Sequence, residues 1–315
     1  MTAGGSTPLH FADRLAALVE ERRSRVVLGL DPDPAALWPE AVARVAGDLD
    51  AGAMGAPHLA RARTAEAVTE HCRAAIVAAG PACVAVKPQF ACFERLGAPG
   101  WEALEQVVAI ARDHGLLVLG DGKRGDVPVT AAAYAQAYAG VTPGPFGDVA
   151  GLGLDAFTAN PLLGRDSLEP LVETAAAAGA GCFVLVRTSN PGAAELQDAG
   201  EPPLYERLAA IVDELGRERR GDCGLSLVGA VTGATRPDHL GRLRELMPHA
   251  ILLLPGIGAQ GGRVEDLGPA FAPHPAGGLV TASRSIVNAH AQRGGEPAAA
   301  AAAAAEELRA AAWEL

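Results

Sequence analysis

The chain predicts an α/β fold, a (β/α)8 barrel, and three observations point there. Short apolar, β-branched runs recur eight times, each ends in polar or glycine-rich residues, and most are followed by a helical stretch. Near-continuous apolar strands require cover on both faces, which alternating helices supply. That pattern defines a parallel sheet, and eight such units close it into a barrel. The 315 residues exceed an average domain, but such barrels run to about 200–250 residues or more as one unit, so 1–315 is expected to be a single barrel domain.

Taken in order, Phe11–Arg23 reads as an amphipathic helix able to plug the barrel floor. The expected strands are Val26–Asp31, Cys83–Lys87, Leu116–Asp121, Ala156–Ala159, Cys182–Arg187, Leu225–Val231, Ile251–Leu254 and Gly278–Thr281. Helices of ordinary crossover length lie between them, at Arg61–Ala79, Trp101–His114, Val129–Ala139, Leu168–Ala178 and Leu204–Arg219. An alanine-rich helix, Pro297–Leu315, ends the chain, with Trp313 as its packing anchor. Two connections are long. Residues 32–60, which include Trp38, insert after the first strand, and residues 259–277 insert after the seventh. Loops following strands line the face that carries active sites, so both are candidate walls or lids. The first reads as a tolerated surface insertion beyond Asp31. A doubly wound open sheet competes with the barrel, because GIGAQG at 256–261 matches GxGxxG. The match follows the seventh strand rather than the first, however, and no acid after it is placed for a ribose. It signals a phosphate better than a dinucleotide.

Apolar residues make up 49% of the chain and charged residues 20%, values of a globular protein. The net charge is −11 and no long Lys/Arg run is present, which argues against nucleic acid or an acidic membrane as partner. The five cysteines lack CxxC spacing, and three lie in or near apolar stretches, so reduced thiols are expected. No basic segment followed by an apolar stretch opens the chain and no run approaches a membrane span; a cytoplasmic protein is expected.

The chemistry concentrates in DGKRGD at 121–126, directly after Leu116–Leu119. Strand alternation would put Asp121 and Lys123 on one side, roughly 6–7 Å apart, with Asp126 in the turn beyond. The motif reads either as an exposed turn with an ordinary ion pair or as a buried cluster whose lysine carries a proton. In a barrel it would share one mouth with Asp31, Lys87, Asn160, Thr188, Ser189, Asn190, the Gly256–Gly262 run with Gln260, and Ser283 and Arg284. Glycine amides and a cation after strands seven and eight suit a phosphate. The ligand is then a phosphorylated small molecule whose reacting end meets the lysine/aspartate array. Asp31, Asp121 and Asp126 could offer oxygens to a metal, but two lysines among them argue against a cation cage.

These residues resemble a known family. VKP at 86–88, DGKRGD followed by Thr130, TSNPG at 188–192, PGIGAQGG at 255–262 and ASRS at 282–285, with LGLDPDP at 28–34, are similar to orotidine 5'-phosphate decarboxylases, specifically the longer bacterial subfamily (type 2). The resemblance implies conversion of orotidine 5'-monophosphate to uridine 5'-monophosphate without metal or organic cofactor. It assigns Lys123 as proton donor to C6 and sets Asp121 beside the departing carboxylate. Lys87 and Asp31 would hold the ribose hydroxyls, Ser189 the base, and Gln260 and Arg284 the phosphate, with 259–277 as the lid. Asp126 and Thr130 would reach the neighbouring site of a homodimer. Gly122 departs from the pattern, where a bulkier residue is common. Two other readings remain: a related barrel decarboxylase or synthase using magnesium to stabilise an enediolate, and a catalytically inactive phosphate-binding sensor.

Overall fold

The computed structural model describes residues 8–46, 56–234, 237–257 and 261–315. Eight parallel strands close a barrel in chain order. They are β1 (Val26–Leu30), β2 (Ala85–Pro88), β3 (Leu117–Arg124), β4 (Ala156–Ala159), β5 (Gly181–Arg187), β6 (Val228–Thr232), β7 (Leu252–Pro255) and β8 (Gly278–Ala282). Pairing of β1 with β8, Val26 opposite Val280 and Leu28 opposite Ala282, completes the ring. Every residue of β1, β4, β6 and β8 is buried, which is why these strands read as unbroken apolar runs rather than alternating ones. The expected sixth strand begins three residues too early. Ser226 instead bonds through its hydroxyl to the carbonyl of Gly216 at 3.1 Å and accepts from the N–H of Val228 at 3.0 Å, turning the chain into β6.

Helices cover the outside at Ala56–Ala79, Ala98–Asp113, Pro128–Tyr138, Arg165–Ala177, Leu204–Gly216 and Pro237–Leu246. The first helix, Phe11–Arg22, covers the N-terminal end of the barrel, where Phe11 meets Phe183 of β5 edge-on at 5.9 Å. In the last helix, Pro297–Trp313, a stripe of Ala300, Ala301, Ala304 and Ala305 is buried. Small side chains at that spacing let two backbones approach closely. Trp313 anchors this helix: the Arg25 guanidinium lies 5.1 Å from its ring and 4.1 Å from Phe271, and donates to the carbonyl of Ala312 at 2.7 Å. Cys72, Cys83 and Cys182 are buried and all five cysteines are unpaired; burial pushes the Cys83 and Cys182 thiols up to about 12. Among the described residues no helix is long and apolar enough to cross a membrane.

Both long connections differ from expectation. In the first, Trp38 is 1% exposed and leads into a short helix, Pro39–Val45, so this part is packed rather than a surface appendage. In the second, Val264–Phe271 forms a 3-10 helix with Leu267 and Ala270 fully buried. The reason is Arg244, an arginine with no acidic partner among the described residues. It donates to the carbonyls of Met247 at 2.9 Å and Ala250 at 2.7 Å, and across to Ala270 at 2.7 Å and Gly277 at 2.8 Å. Burial lowers its pKa to about 10, still charged at neutral pH. Within the expected lid, 259–277, Arg244 therefore ties down Ala270 and Gly277. Arg244→Met removes the donor these buried carbonyls share, Met247 alone keeping another in the Ala250 N–H at 3.2 Å, and we expect a loss of about 3 kcal/mol or more in unfolding free energy, read as a lower urea midpoint at unchanged m-value.

Candidate active site

The end of β3 does not continue as a regular strand. Its pairing with β4 slips, Gly120 standing opposite Phe157 and Arg124 opposite Ala159, so β3 uses four residues to advance where β4 uses two. Lys123 absorbs the excess with φ 49, the left-handed region that a non-glycine residue rarely adopts. Asp121 and Lys123 thus meet through a bulge and not through simple alternation: Lys123 Nζ lies 2.5 Å from Asp121 Oδ1. The bulge is held by Thr158 of β4, which accepts from the Lys123 N–H at 2.9 Å and donates to Asp121 Oδ1 at 3.0 Å. Behind it, a Cβ on Gly122 would sit 2.9 Å from the Tyr138 hydroxyl and 3.0 Å from the Phe90 ring. The glycine in the motif follows from those two rings packing close against the strand.

The second oxygen of Asp121 is equally occupied. Lys87, from β2, donates to Oδ2 at 2.6 Å, and Gln89 donates to the same atom at 3.1 Å. Asp121 is 4% exposed and Lys87 7%. Burial opposes the Asp121 charge, but the two ammonium groups outweigh it and hold the carboxyl well below the usual range. For Lys87, burial likewise opposes the charge, and Asp121 and Asp31 reverse the balance and raise its pKa. The exposed-turn reading of this motif is thereby ruled out for Asp121. Lys123, with 40% of its side chain exposed, is the ammonium of the pair that opens toward the cavity.

A cavity of about 900 Å³ fills the C-terminal mouth of the barrel. Asp31, Lys87, Asp121 and Lys123 form one side. Pro255, Gly256, Ile257, Ser283 and Arg284, after β7 and β8, form another. Gly256 has φ 108, and its carbonyl accepts from Gly262 N–H at 3.0 Å, which closes the glycine loop on itself. Arg284 is exposed and opens a one-turn helix, Arg284–Val287. Thr188, Ser189 and Asn190 form a third wall after β5. Arg187 braces it, gripping Asp198 with two bonds of 2.7 and 3.0 Å, while Thr188 N–H donates to Gln197 Oε1 at 2.7 Å.

Of the expected site residues, Asp31, Lys87, Asp121, Lys123, Ser189 and Arg284 come together around this cavity. Gln260 lies outside the described residues. Asp126, Thr130 and Asn160 do not line the cavity. Asp126 instead accepts from the adjacent Val127 N–H at 2.7 Å, and Asn160 from Leu162 N–H at 3.0 Å, which closes its own turn. Two residues went unnoticed in the sequence. Gln89 stands two places after Lys87, and Thr158 is the one polar residue of β4; the strand period offered both as signals. Among the described residues no three His, Cys, Asp or Glu side chains are grouped to hold a metal.

The fold and cavity define a (β/α)8-barrel enzyme class, with an anion-suited wall after β7 and β8 and a proton-bearing lysine pair on a shared carboxylate. A family model, orotidine 5'-phosphate decarboxylase / HUMPS family, matches residues 24–304. The chain belongs to this family. A Rhodopirellula baltica orotidine 5'-phosphate decarboxylase is 44% identical over 253 residues, covering 80% of this chain and 83% of the relative. One from Deinococcus radiodurans is 41% identical, covering 88% of each. The solved structure of Leishmania donovani OMP decarboxylase superposes with a TM-score of 0.67 at 30% identity, over 96% of this chain and 98% of that one.

The electrostatics of the array are open to direct test. Lys87 is raised above its ordinary 10.5, so its contribution to stability is complete below about pH 10.5 and lost only as pH rises through the folded value. Asp121 is depressed, so its contribution is complete above the ordinary carboxylate range and lost as pH falls toward its folded value. Asp121→Asn removes the largest of the charges that oppose burial at Lys87. The Lys87 pKa, followed by ¹⁵N NMR of Nζ, should then drop below that of the parent chain.

Proposed function

We propose that this cavity decarboxylates orotidine 5'-monophosphate to uridine 5'-monophosphate, a carboxy-lyase reaction of pyrimidine nucleotide synthesis, with Lys123 protonating C6. Family membership and the curated relatives support the reaction. The observation that carries the residue roles is the ammonium pair sharing one buried carboxylate, Lys87 and Lys123 on Asp121, at the edge of a cavity that Arg284 also lines. Departure of carbon dioxide leaves the bonding electron pair on C6, where resonance offers little relief. A fixed ammonium beside that carbon stabilises the developing charge, then donates its proton and is re-protonated from water. Asp121 pairs with both lysines, raises the pKa of Lys87, and lies beside the departing carboxylate. Lys87 and Asp31 hold the ribose, Ser189 the base, and Arg284 with Gln260 the phosphate, whose binding contributes to transition-state stabilisation. No metal is required in this scheme, and both oxygens of Asp121 are already engaged by Lys87, Gln89, Lys123 and Thr158. A cytoplasmic setting suits five unpaired cysteines.

Chelator-treated protein should consume the nucleotide, seen as loss of its ultraviolet absorbance. Lys123→Ala should reduce that rate by about a thousandfold or more while the circular dichroism stays unchanged. Absence of turnover under these conditions would falsify the reading.

The homodimer belongs to this proposal. Asp126 and Thr130 lie outside their own cavity, and the apolar side chains of Val127, Val129, Leu162 and Leu163 beside them are exposed. A large apolar patch next to polar residues suits a second subunit. Each site would then take Lys123 from one chain and Asp126 from the other. Lys123→Ala and Asp126→Ala subunits, each inactive alone, should recover about a quarter of the parent activity when mixed equally and allowed to exchange, because random pairing rebuilds one site in half of the dimers. Continued inactivity after subunit exchange would remove the shared site.

A further inference from the structure

The connection after β1 and the turn after β8 meet at one buried side chain. Trp38 is 1% exposed, although Ala35, Ala36, Pro39 and Glu40 around it are exposed. Its indole Nε1 donates to the carbonyl of Val287 at 3.1 Å, the final residue of the helix that Arg284 begins. End carbonyls of a helix lack partners within it, so an outside donor fixes where that end lies. Its backbone N–H donates to His71 Nδ1 at 3.1 Å, and the two rings meet edge-on at 5.3 Å. Since Nδ1 accepts, the neutral ring carries its proton on Nε2. Burial, with His290 adding, pushes the His71 pKa down to about 4, so the acceptor persists at neutral pH. A small cleft of about 40 Å³ beside this junction is walled by Asp31, His71, Ser283 and Arg284. The junction therefore lies directly behind the cation of the cavity.

We propose that Trp38 is a positioning residue for the phosphate end of the site: by holding Val287 from the β1 connection, it keeps Arg284 aimed into the cavity. This rests on the reading of Arg284 as a phosphate ligand. An insertion that looked dispensable thereby acts in recognition of the nucleotide, at the residue where it is packed. Misplacing one helical turn by about 1 Å is enough to weaken a fixed contact of this kind by an order of magnitude or more.

Trp38→Phe keeps the ring and removes the indole donor. We expect kcat/KM for orotidine 5'-monophosphate to fall about tenfold, mainly through KM, while that for orotidine, which lacks the phosphate, changes less than about twofold. His71→Leu, which removes the acceptor of the Trp38 N–H, should give the same selective loss. His71→Asn, which keeps an acceptor at the same bond distance from the backbone, should restore it. Arg284→Ala is run beside them. If Arg284→Ala lowers the preference for nucleotide over nucleoside, but Trp38→Phe and His71→Leu leave it unchanged or weaken both substrates equally, Trp38 is a structural anchor only and the proposal fails. If Arg284→Ala leaves the preference intact, the phosphate reading fails and the proposal with it. Should Trp38→Phe not fold, the His71 pair decides.

Discussion

The carboxylate of Asp121 is the group around which the mouth of this barrel is organised. At 4% exposure it has lost nearly all contact with water, and an isolated charge in such a place would cost several kcal/mol or be neutralised. Four donors prevent that: Lys87 and Gln89 on one oxygen, Lys123 and Thr158 on the other. They come from β2, the residue after it, β3 and β4, so the ion pair network also fixes the relative height of three neighbouring strands. Removing Asp121 would break the buried pair with Lys87, a loss of about 3–5 kcal/mol in comparable cases. The same arrangement that makes the cluster costly to disturb sets the Lys123 ammonium at the edge of a cavity, where a proton donor must stand to act.

Around that network the barrel assigns separate tasks to separate strand ends. The loops after β7 and β8 present glycine backbone and Arg284, the loop after β5 presents Thr188 to Asn190 braced by the Arg187–Asp198 pair, and β2 and β3 present the charges. Each set is stiffened from behind by residues that touch no cavity. Arg244 ties the segment after β7 to the start of β8 through backbone carbonyls. Phe90 and Tyr138 back the bulge of β3, and Trp38 backs the turn after β8. Preorganised polar groups need such support, because a displacement of about 1 Å at a reacting atom is already costly.

Much of this was legible from residue order. Eight apolar runs gave the eight strands within a few residues, since strands buried on both faces leave a composition signal that needs no partner to be read. The strand ends then yielded Asp31, Lys87, Asp121, Lys123, Ser189 and Arg284, six residues that do line one cavity. Less legible were residues whose role depends on what lies across from them. Thr158 stands out as the one polar residue of β4, but its role arises because Lys123 leaves the regular strand path, which is decided on β3. Arg244 looks like any surface arginine of a helix; only the carbonyls of Ala270 and Gly277, far along the chain, make it a buried tie.

By itself, the sequence determined the barrel, the motif at 121–126 and the family to which they belong, because periodicity and short motifs are properties of neighbouring residues. Only the tertiary structure decided that Asp121 of DGKRGD is buried in an ion-pair network, that the loop after β7 is tied down at Ala270 and Gly277, and that Trp38 is interior. The physical reason is common to all three. Burial and hydrogen-bond satisfaction are set by groups distant in sequence, and an ion pair or indole has no fixed environment until the fold supplies one.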